Sequence, residues 1–420
     1  MIQNIFQSKD NKRLFTNFLS LSVLQGTNLL LPLVTFPYLV RVLGIEKFGL
    51  ISFALATVSY FEILAEYGFD LSATRQISIN RNNLDKVTSI YSSVLSLKVM
   101  LSVVSFLLLT ILVFSFHKFS DFFLIYYFTF GRVIGKSLFP VWFFQGMEKM
   151  KITTTLDILT KAVFTVAIFV FVKEEKDFLL VPIFNSLGFL SAGLLAIIQI
   201  KSRFGVSFKI QSIETLREHL KDGWHIFVSR IYVNIYTTTN IFLLGLMTNN
   251  IIVGYYSVAV KIVDAVASLM YPANNALYPY MSKLFHDNVE KFYQLVKRMS
   301  WFYFAVAFCL FAGAAIFGKW AVTFVNGSFD EQIYVIYNVL LFKILLSPYA
   351  PFFTQIFINQ GRKIQYLGIV KYTFILNLLI VPLFIHFYAG LGMAVGALLV
   401  TIFHLSLFLK FKIRPEQTLL

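Results

Sequence analysis

Residues Pro32–Arg75 read PLVTFPYLVRVLGIEKFGLISFALATVSYFEILAEYGFDLSATR. Two apolar segments are joined by a short polar turn and followed by a basic exit. Three features of this stretch recur. The first helix is interrupted by Pro32 and Pro37, the next opens on a Gly-x-x-Ser-x-Ala pattern (Gly49, Ser52, Ala54), and Glu62 and Glu66 sit inside a run of membrane length. The opening pattern returns as Gly254, Ser257, Ala259, 205 residues on, close to half of 420. The chain reads as one half written twice.

Composition agrees with that stretch. With 58% hydrophobic residues, mean hydropathy +0.73 and 14% charged residues, the chain has too little polar surface to cover a soluble body of its length. It belongs in lipid. Apolar runs follow one another from Phe15 to Leu409, each long enough as a helix, at about 1.5 Å per residue, to cross roughly 30 Å of hydrocarbon. The expected spans are Phe15–Val40, Lys47–Tyr67, Ser89–Phe116, Phe122–Trp142, Thr153–Val172, Phe178–Ile200, Trp224–Met247, Gly254–Tyr280, Ser300–Gly318, Gln332–Ile358, Leu367–Phe387 and Leu391–Leu409. These are uniformly apolar, without the alternation of membrane strands, so the expected fold is all-α with twelve transmembrane helices. Lys9, Lys12 and Arg13 precede a long segment with no small-residue cleavage site, which reads as an uncleaved first helix.

Lysine and arginine set the orientation. The two termini and the even-numbered turns carry 22 of them, against 6 in the odd-numbered turns, so both termini are expected in the cytoplasm. The net charge of +15 is mostly this signal, a basic face against anionic lipid, and nothing suggests nucleic acid. The largest connection, Lys201 to Gly223, falls between the sixth and seventh spans and divides the chain into lobes of residues 1–205 and 206–420. Within it Ile213, Leu216 and Leu220 share one side of a short helix, an arrangement that suits a segment lying along the membrane surface.

Several chemistries drop out. The single cysteine, Cys309, can form neither an intramolecular disulfide nor a thiolate metal site, and the six histidines show no ligand spacing. Gly131-Arg-Val-Ile-Gly135-Lys136-Ser137 has three residues between its glycines where an ATP loop needs four, and it lies mid-membrane. Close helix packing through Gly131 and Gly135 accounts for it. A membrane-embedded polysaccharide polymerase or glycosyltransferase would display carboxylates or arginines on a sizeable extracytoplasmic loop. The longest such loop here, Lys319 to Glu331, carries only Asp330 and Glu331 as carboxylates.

The charges inside the helices are the candidate site. Eight are basic (Lys98, Arg132, Lys136, Lys161, Arg230, Lys261, Lys343, Lys371) and four acidic (Glu62, Glu66, Asp157, Asp264). Facing lipid, the basic groups would cost on the order of 20 kcal/mol, so they line something wet or anionic. Asp157 with Lys161 and Lys261 with Asp264 are spaced to neutralise each other along one helix face. Arg132 and Lys136 are four apart with like sign, and Glu62 with Glu66 is the mirror case. Either the two pairs face each other, or a cationic cavity receives an anion. Lys98, Arg230, Lys343 and Lys371 have no acidic residue within a turn of their own helices, and Lys371 is placed to snorkel. An exporter of organic cations would show surplus acid instead. Pro32, Pro37, Pro348 and Pro351 are candidate hinges.

The runs PYLVRVLGIEKFGLISFALATVSYFEILAEYGFDLSATRQIS (residues 37–78) and LFPVWFFQGMEKMKITT (residues 138–154) resemble the Wzx family of O-antigen and polysaccharide-repeat flippases. That family belongs to the superfamily of MATE exporters and the lipid II flippase MurJ. The resemblance implies a V-shaped pair of six-helix lobes in the bacterial inner membrane. It implies an undecaprenyl-diphosphate-linked oligosaccharide as cargo, moved from the cytoplasmic to the periplasmic leaflet, with polymerase and chain-length proteins of the same pathway as partners. Lys98, Arg132, Lys136, Arg230, Lys261, Lys343 and Lys371 would then meet the diphosphate. Glu62, Glu66, Asp157 and Asp264 would carry H+ or Na+ coupling or serve as counter-charge, with no cofactor.

Overall fold

The structure, a computed structural model, describes the backbone of residues 9–411. Within that range it describes the side chains other than those at 9–22, 24, 25, 28–30, 225, 229, 230, 232–238, 271–273, 275, 276, 278 and 279. Its α-helices are α1 (Lys9–Glu66), α2 (Phe69–Asn80), α3 (Leu84–Ser115), α4 (His117–Ser120), α5 (Phe123–Leu138), α6 (Val141–Gly146), α7 (Met150–Phe171) and α8 (Leu180–Phe204). They continue as α9 (Ile213–Met247), α10 (Asn250–Ala267), α11 (Tyr271–Asp287), α12 (Val289–Asn326), α13 (Glu331–Leu346), α14 (Tyr349–Asn359) and α15 (Lys363–Lys410). Every regular element among the described residues is helical, and eight helical stretches there are long and apolar enough to cross a membrane.

The polar turns start the helices. Asn83, Asn249, Asn288 and Asp330 each take extended or near-extended backbone and accept a hydrogen bond from the N–H three residues on, satisfying one of the orphan donors of α3, α10, α12 and α13. The helices also end and break for local reasons. Within α1, Pro32 and Pro37 remain helical and the chain turns instead at Gly44 (φ 73°, ψ 170°), which corrects the expectation that the prolines interrupt it. A side chain at that φ would be strained. A second break inside α15 falls at Ala389. Expected spans at 122–142, 254–280 and 332–358 are each interrupted, at Phe139–Pro140, at the 3₁₀ turn Ser268–Met270, and at Ser347–Pro348. Pro140, Pro272 and Pro348 follow or close these gaps because proline lacks the N–H that would continue the ladder.

The segment from Ile213 is helical, as expected. It is the first part of α9, where Leu216 and Leu220 pack against the core of the first unit and Ile213 is exposed.

The chain divides into two compact units. The first takes residues up to Leu43 with Ala54–Ile231, and the second takes Gly44–Phe53 with residues from Tyr232 on. The first is centred on Phe69, Tyr91, Trp142, Phe143 and Phe144, against which Leu216 and Leu220 rest. The second is centred on Phe292, Tyr303, Phe352, Phe357 and Phe408. Outward stripes are apolar: on α3, Val103, Leu107, Ile111 and Phe114 recur at helical spacing and are 55%, 56%, 62% and 74% exposed. In water such a surface would aggregate; lipid solvates it.

The repeated glycines meet inside the second unit. A Cβ on Gly49 would lie 1.9 Å from the Asn250 carbonyl oxygen, and one on Gly254 would lie 2.2 Å from that of Ile45. Only glycine allows this backbone approach, so the repeat noticed in the sequence is a packing device.

Candidate functional site

The site begins with how closely α5 approaches α8. A Cβ on Gly135 would lie 2.5 Å from the Leu190 nitrogen and 2.5 Å from the Phe189 carbonyl carbon, and one on Gly131 would lie 2.8 Å from the Ser186 Cβ. Glycine at both positions lets the two helices touch backbone to side chain, as expected for this glycine pair. That approach brings Arg132 and Lys136, one turn apart on α5, alongside the Phe189 ring. Arg132 Cζ is 5.4 Å from the ring centroid, Lys136 Nζ 5.5 Å, and Lys161 Nζ of α7 5.0 Å. Three cations stand by one aromatic ring, whose negative quadrupole attracts each of them.

Carboxylates complete the cluster. Glu62 of α1 accepts a hydrogen bond from the Lys136 ammonium through Oε1, and its Oε2 lies 3.0 Å from Arg132 Nε. The Arg132 contact is an ion pair out of hydrogen-bond alignment. Glu66, one turn further along α1, accepts from Lys98 Nζ at 3.2 Å, with the Asp70 carboxyl of α2 beside it. The Lys98 side chain is only 1% exposed. Its ammonium also donates to the Lys136 carbonyl oxygen, 3.5 Å away in the last turn of α5, an oxygen that accepts the Phe139 N–H as well. Asp157 and Lys161 form the expected i,i+4 pair at 2.7 Å.

Comparison with known sequences then decides the family. The profile described as polysaccharide biosynthesis protein matches residues 14–285. The "Putative O-antigen transporter" of Escherichia coli K12 is 30% identical over 399 residues, covering 94% of this chain and 95% of that protein. Its namesake in Shigella dysenteriae is 26% identical over 394 residues, covering 91% and 96%. The chain belongs to the polysaccharide biosynthesis protein family. Among solved structures, an inward-facing multidrug MATE transporter superposes with a TM-score of 0.71 at 14% identity, covering 91% of this chain and 94% of that one. The lipid II flippase MurJ superposes at 0.65 with 13% identity, covering 93% and 86%. Both share this fold.

In this family member the second unit handles its charges differently. Lys261 and Asp264 do not neutralise each other. Asp264 instead accepts from Lys343 of α13 at 3.2 Å, while the Lys261 ammonium stands 4.7 Å from the centroid of the Phe48 ring. Lys371 is exposed, and the Arg230 side chain lies outside the described residues. Pro348 and Pro351 flank the start of α14 at a real break; Pro32 and Pro37 lie within unbroken helix.

Two groups escaped the sequence reading. Phe189 is one of 48 phenylalanines, and only the glycine spacing on the facing helix could have singled it out. A neutral polar set in the second unit was also missed: Asn377 Nδ2 donates to Asn240 Oδ1 at 3.1 Å, and Thr373 Oγ1 lies 2.9 Å from His404 Nδ1. Thr373 and Asn377 are fully buried and four residues apart in an apolar helix, which was the available signal.

Proposed function

We propose that this polysaccharide biosynthesis family member is a transporter, not an enzyme. It flips undecaprenyl-diphosphate-linked O-antigen or related repeat units from the cytoplasmic to the periplasmic leaflet of the bacterial inner membrane. The relatives named as O-antigen transporters across more than nine-tenths of the chain support this, as does the fold shared with a lipid II flippase. The observation that carries the residue-level reading is the fan of Arg132, Lys136 and Lys161 over Phe189, a cationic face inside helices where an anion offsets the cost of burial.

The accompanying architecture is twelve spans in two six-helix lobes, residues 1–205 and 206–420, with both termini cytoplasmic. Gly44 and Ala389 each divide a long helix in two, and α5 with α6 and α9 add the spans that the eight apolar stretches omit. Arg132 and Lys136 receive the diphosphate, Lys98, Arg230, Lys261, Lys343 and Lys371 contribute positive charge, and the glycan stays in water with the polyprenyl tail in lipid. Alternating access moves the cargo, with Pro348 and Pro351 at a helix break as hinge candidates and Pro32 and Pro37 bending the first helix. Outward movement of about two negative charges is favoured by an inside-negative potential at about 2.3 kcal/mol per charge per 100 mV. H+ or Na+ coupling falls to Glu62, Glu66, Asp157 and Asp264, and a polymerase and chain-length proteins take over the product.

The test is surface polysaccharide in a flippase-null strain, measured alongside protein level. Arg132→Ala abolishes export at near-normal protein level, and Arg132→Lys restores it only partly because a point charge loses the guanidinium fork. Normal export by well-folded Arg132→Ala would refute the substrate role.

A further inference from the structure

Glu62 is held as an incoming oxyanion would be. Its two oxygens are divided between Lys136 and Arg132, cations one turn apart that a pair of phosphate oxygens could bridge equally well. The fit to Arg132 is poor. The contact at 3.0 Å runs from Nε to Oε2 and is out of hydrogen-bond alignment. The guanidinium lies against Phe189 with its side chain 33% exposed, and Lys136 is 29% exposed. A diphosphate would meet the open part of the guanidinium with a better-aligned pair of hydrogen bonds.

The other two carboxylates of the cluster are not placed to yield. Glu66 is bound to an ammonium whose side chain is 1% exposed, so removing it would strand a buried charge. Asp157 is 5% exposed and pairs within its own helix. Glu62 is the member that bridges two partly open cations from another helix.

We infer that the Glu62 carboxylate is a resident counter-ion occupying the seat of the substrate's diphosphate, so that diphosphate binding and the Glu62 contacts with Arg132 and Lys136 exclude each other. This rests on the flippase reading above and adds how the site is kept neutral when empty and how the product is released. With no cargo, Glu62 spares the membrane two unpaired cations and keeps stray phosphates from lodging there. After flipping, its return competes the diphosphate off.

The test is calorimetric titration of inorganic pyrophosphate into the purified full chain in lipid nanodiscs. Glu62→Gln keeps the shape and removes the competing charge, so pyrophosphate binds about tenfold more tightly than to wild type, a change equal to roughly 1.4 kcal/mol. Arg132→Gln loses saturable binding. If Glu62→Gln binds no more tightly than wild type while Arg132→Gln loses binding, competition is refuted and the diphosphate site stands. If Arg132→Gln binds as wild type does, or folded Glu62→Gln shows no saturable binding, the site itself falls. Should Glu62→Gln fail to fold, Glu62→Asp decides, since it keeps the charge but draws it back by one methylene. Tighter binding by about threefold supports competition, and unchanged or weaker binding overturns it.

Discussion

The two units carry different sets of helix charge and dispose of them differently: the first holds Lys98, Arg132, Lys136 and Lys161 with Glu62, Glu66 and Asp157, the second Lys261, Lys343 and Lys371 with Asp264. In the first, Asp157 precedes Lys161 by four residues and the pair closes at 2.7 Å; in the second, Lys261 precedes Asp264 by three and the pair does not form. Helical side chains lean toward the N-terminus, so a lysine one turn after an acid reaches back onto it, whereas a lysine before an acid leans away. Asp264 is thereby left for Lys343, and Lys261 turns to the Phe48 ring. The first unit ends with cations and carboxylates interlocked around Phe189, and the second with separate contacts and the neutral Asn240–Asn377 and Thr373–His404 bonds. Both the order of acid and base along a helix and the supply of carboxylates, three in the first unit against one in the second, decide which unit becomes a network.

The comparison predicts unequal dependence on a single lysine. Lys98→Met strands Glu66 in the interior of the first unit and costs about 3–5 kcal/mol, while Lys261→Met strands no carboxylate at Asp264, which keeps Lys343, loses the contact with the Phe48 ring and costs about 1–2 kcal/mol. Thermal denaturation of the two variants, followed by monodispersity in detergent, measures the difference. Equal losses would mean that the second unit depends on its charge as heavily as the first.

A somewhat smaller effect is expected from backbone contact. Gly135→Ala pushes a methyl group onto the Leu190 nitrogen and the Phe189 carbonyl carbon, and costs about 1–3 kcal/mol as α5 and α8 move apart. Gly313, on α12 of the second unit, has nothing within 4 Å of its would-be Cβ, so Gly313→Ala is neutral or stabilises by up to about 1 kcal/mol through helix propensity. Melting temperatures of the pair check this, and the same shift in both would show that the α5–α8 approach is not rigid.

How far the sequence carried the argument follows from the same contrast. Helix type, approximate spans and the Gly131 and Gly135 contact were legible because hydropathy and small-residue spacing are local. So was the Asp157–Lys161 pair, one helical turn on a single face. The breaks at Ser268–Met270 and Ser347–Pro348 were not located, since an apolar run reads the same whether or not its ladder is interrupted. The proline at 37 misled because neighbouring structure can accommodate a missing donor, while the true break needed only the left-handed conformation of Gly44. Among the site residues, the positions carrying charge were found, and the facing of Arg132 and Lys136 with Glu62 and Glu66 stood as one of two alternatives; Glu62 does meet both cations, while Glu66 goes to Lys98. The like-charge spacing pointed to that pairing, but nothing local tells Lys98 to take Glu66.

The acids should separate the units less sharply than the lysines. Asp157→Asn leaves the half-buried Lys161 without its ionic partner and costs about 1.5–3 kcal/mol. Asp264, 56% exposed, loses under about 1 kcal/mol on change to Asn. Protein level and melting temperature report both. A large loss for Asp264→Asn would show that its bond to Lys343 is sealed from solvent in the membrane and would weaken the distinction between network and separate contacts.

The smallest effect on stability, and the one that bears most on function, concerns the two aromatic plates. Phe189 is a surface for three cations, while Phe48 receives one and is itself 2% exposed in the second unit. Leucine at either position keeps much of the apolar volume and loses the quadrupole. At position 48 the loss is one of packing, so Phe48→Leu lowers the melting temperature slightly and leaves export per molecule unchanged. At position 189 the cations are released from a common ring and no longer converge on one anion. Phe189→Leu therefore reduces export on the order of tenfold at unchanged protein level, from about 1.4 kcal/mol of lost cation organisation. Phe189→Tyr, which keeps the ring, preserves it. Surface polysaccharide normalised to protein in the membrane measures all three. Full export by Phe189→Leu would mean that the carboxylates alone hold Arg132, Lys136 and Lys161 in place, and that the ring merely fills the space opened by Gly135.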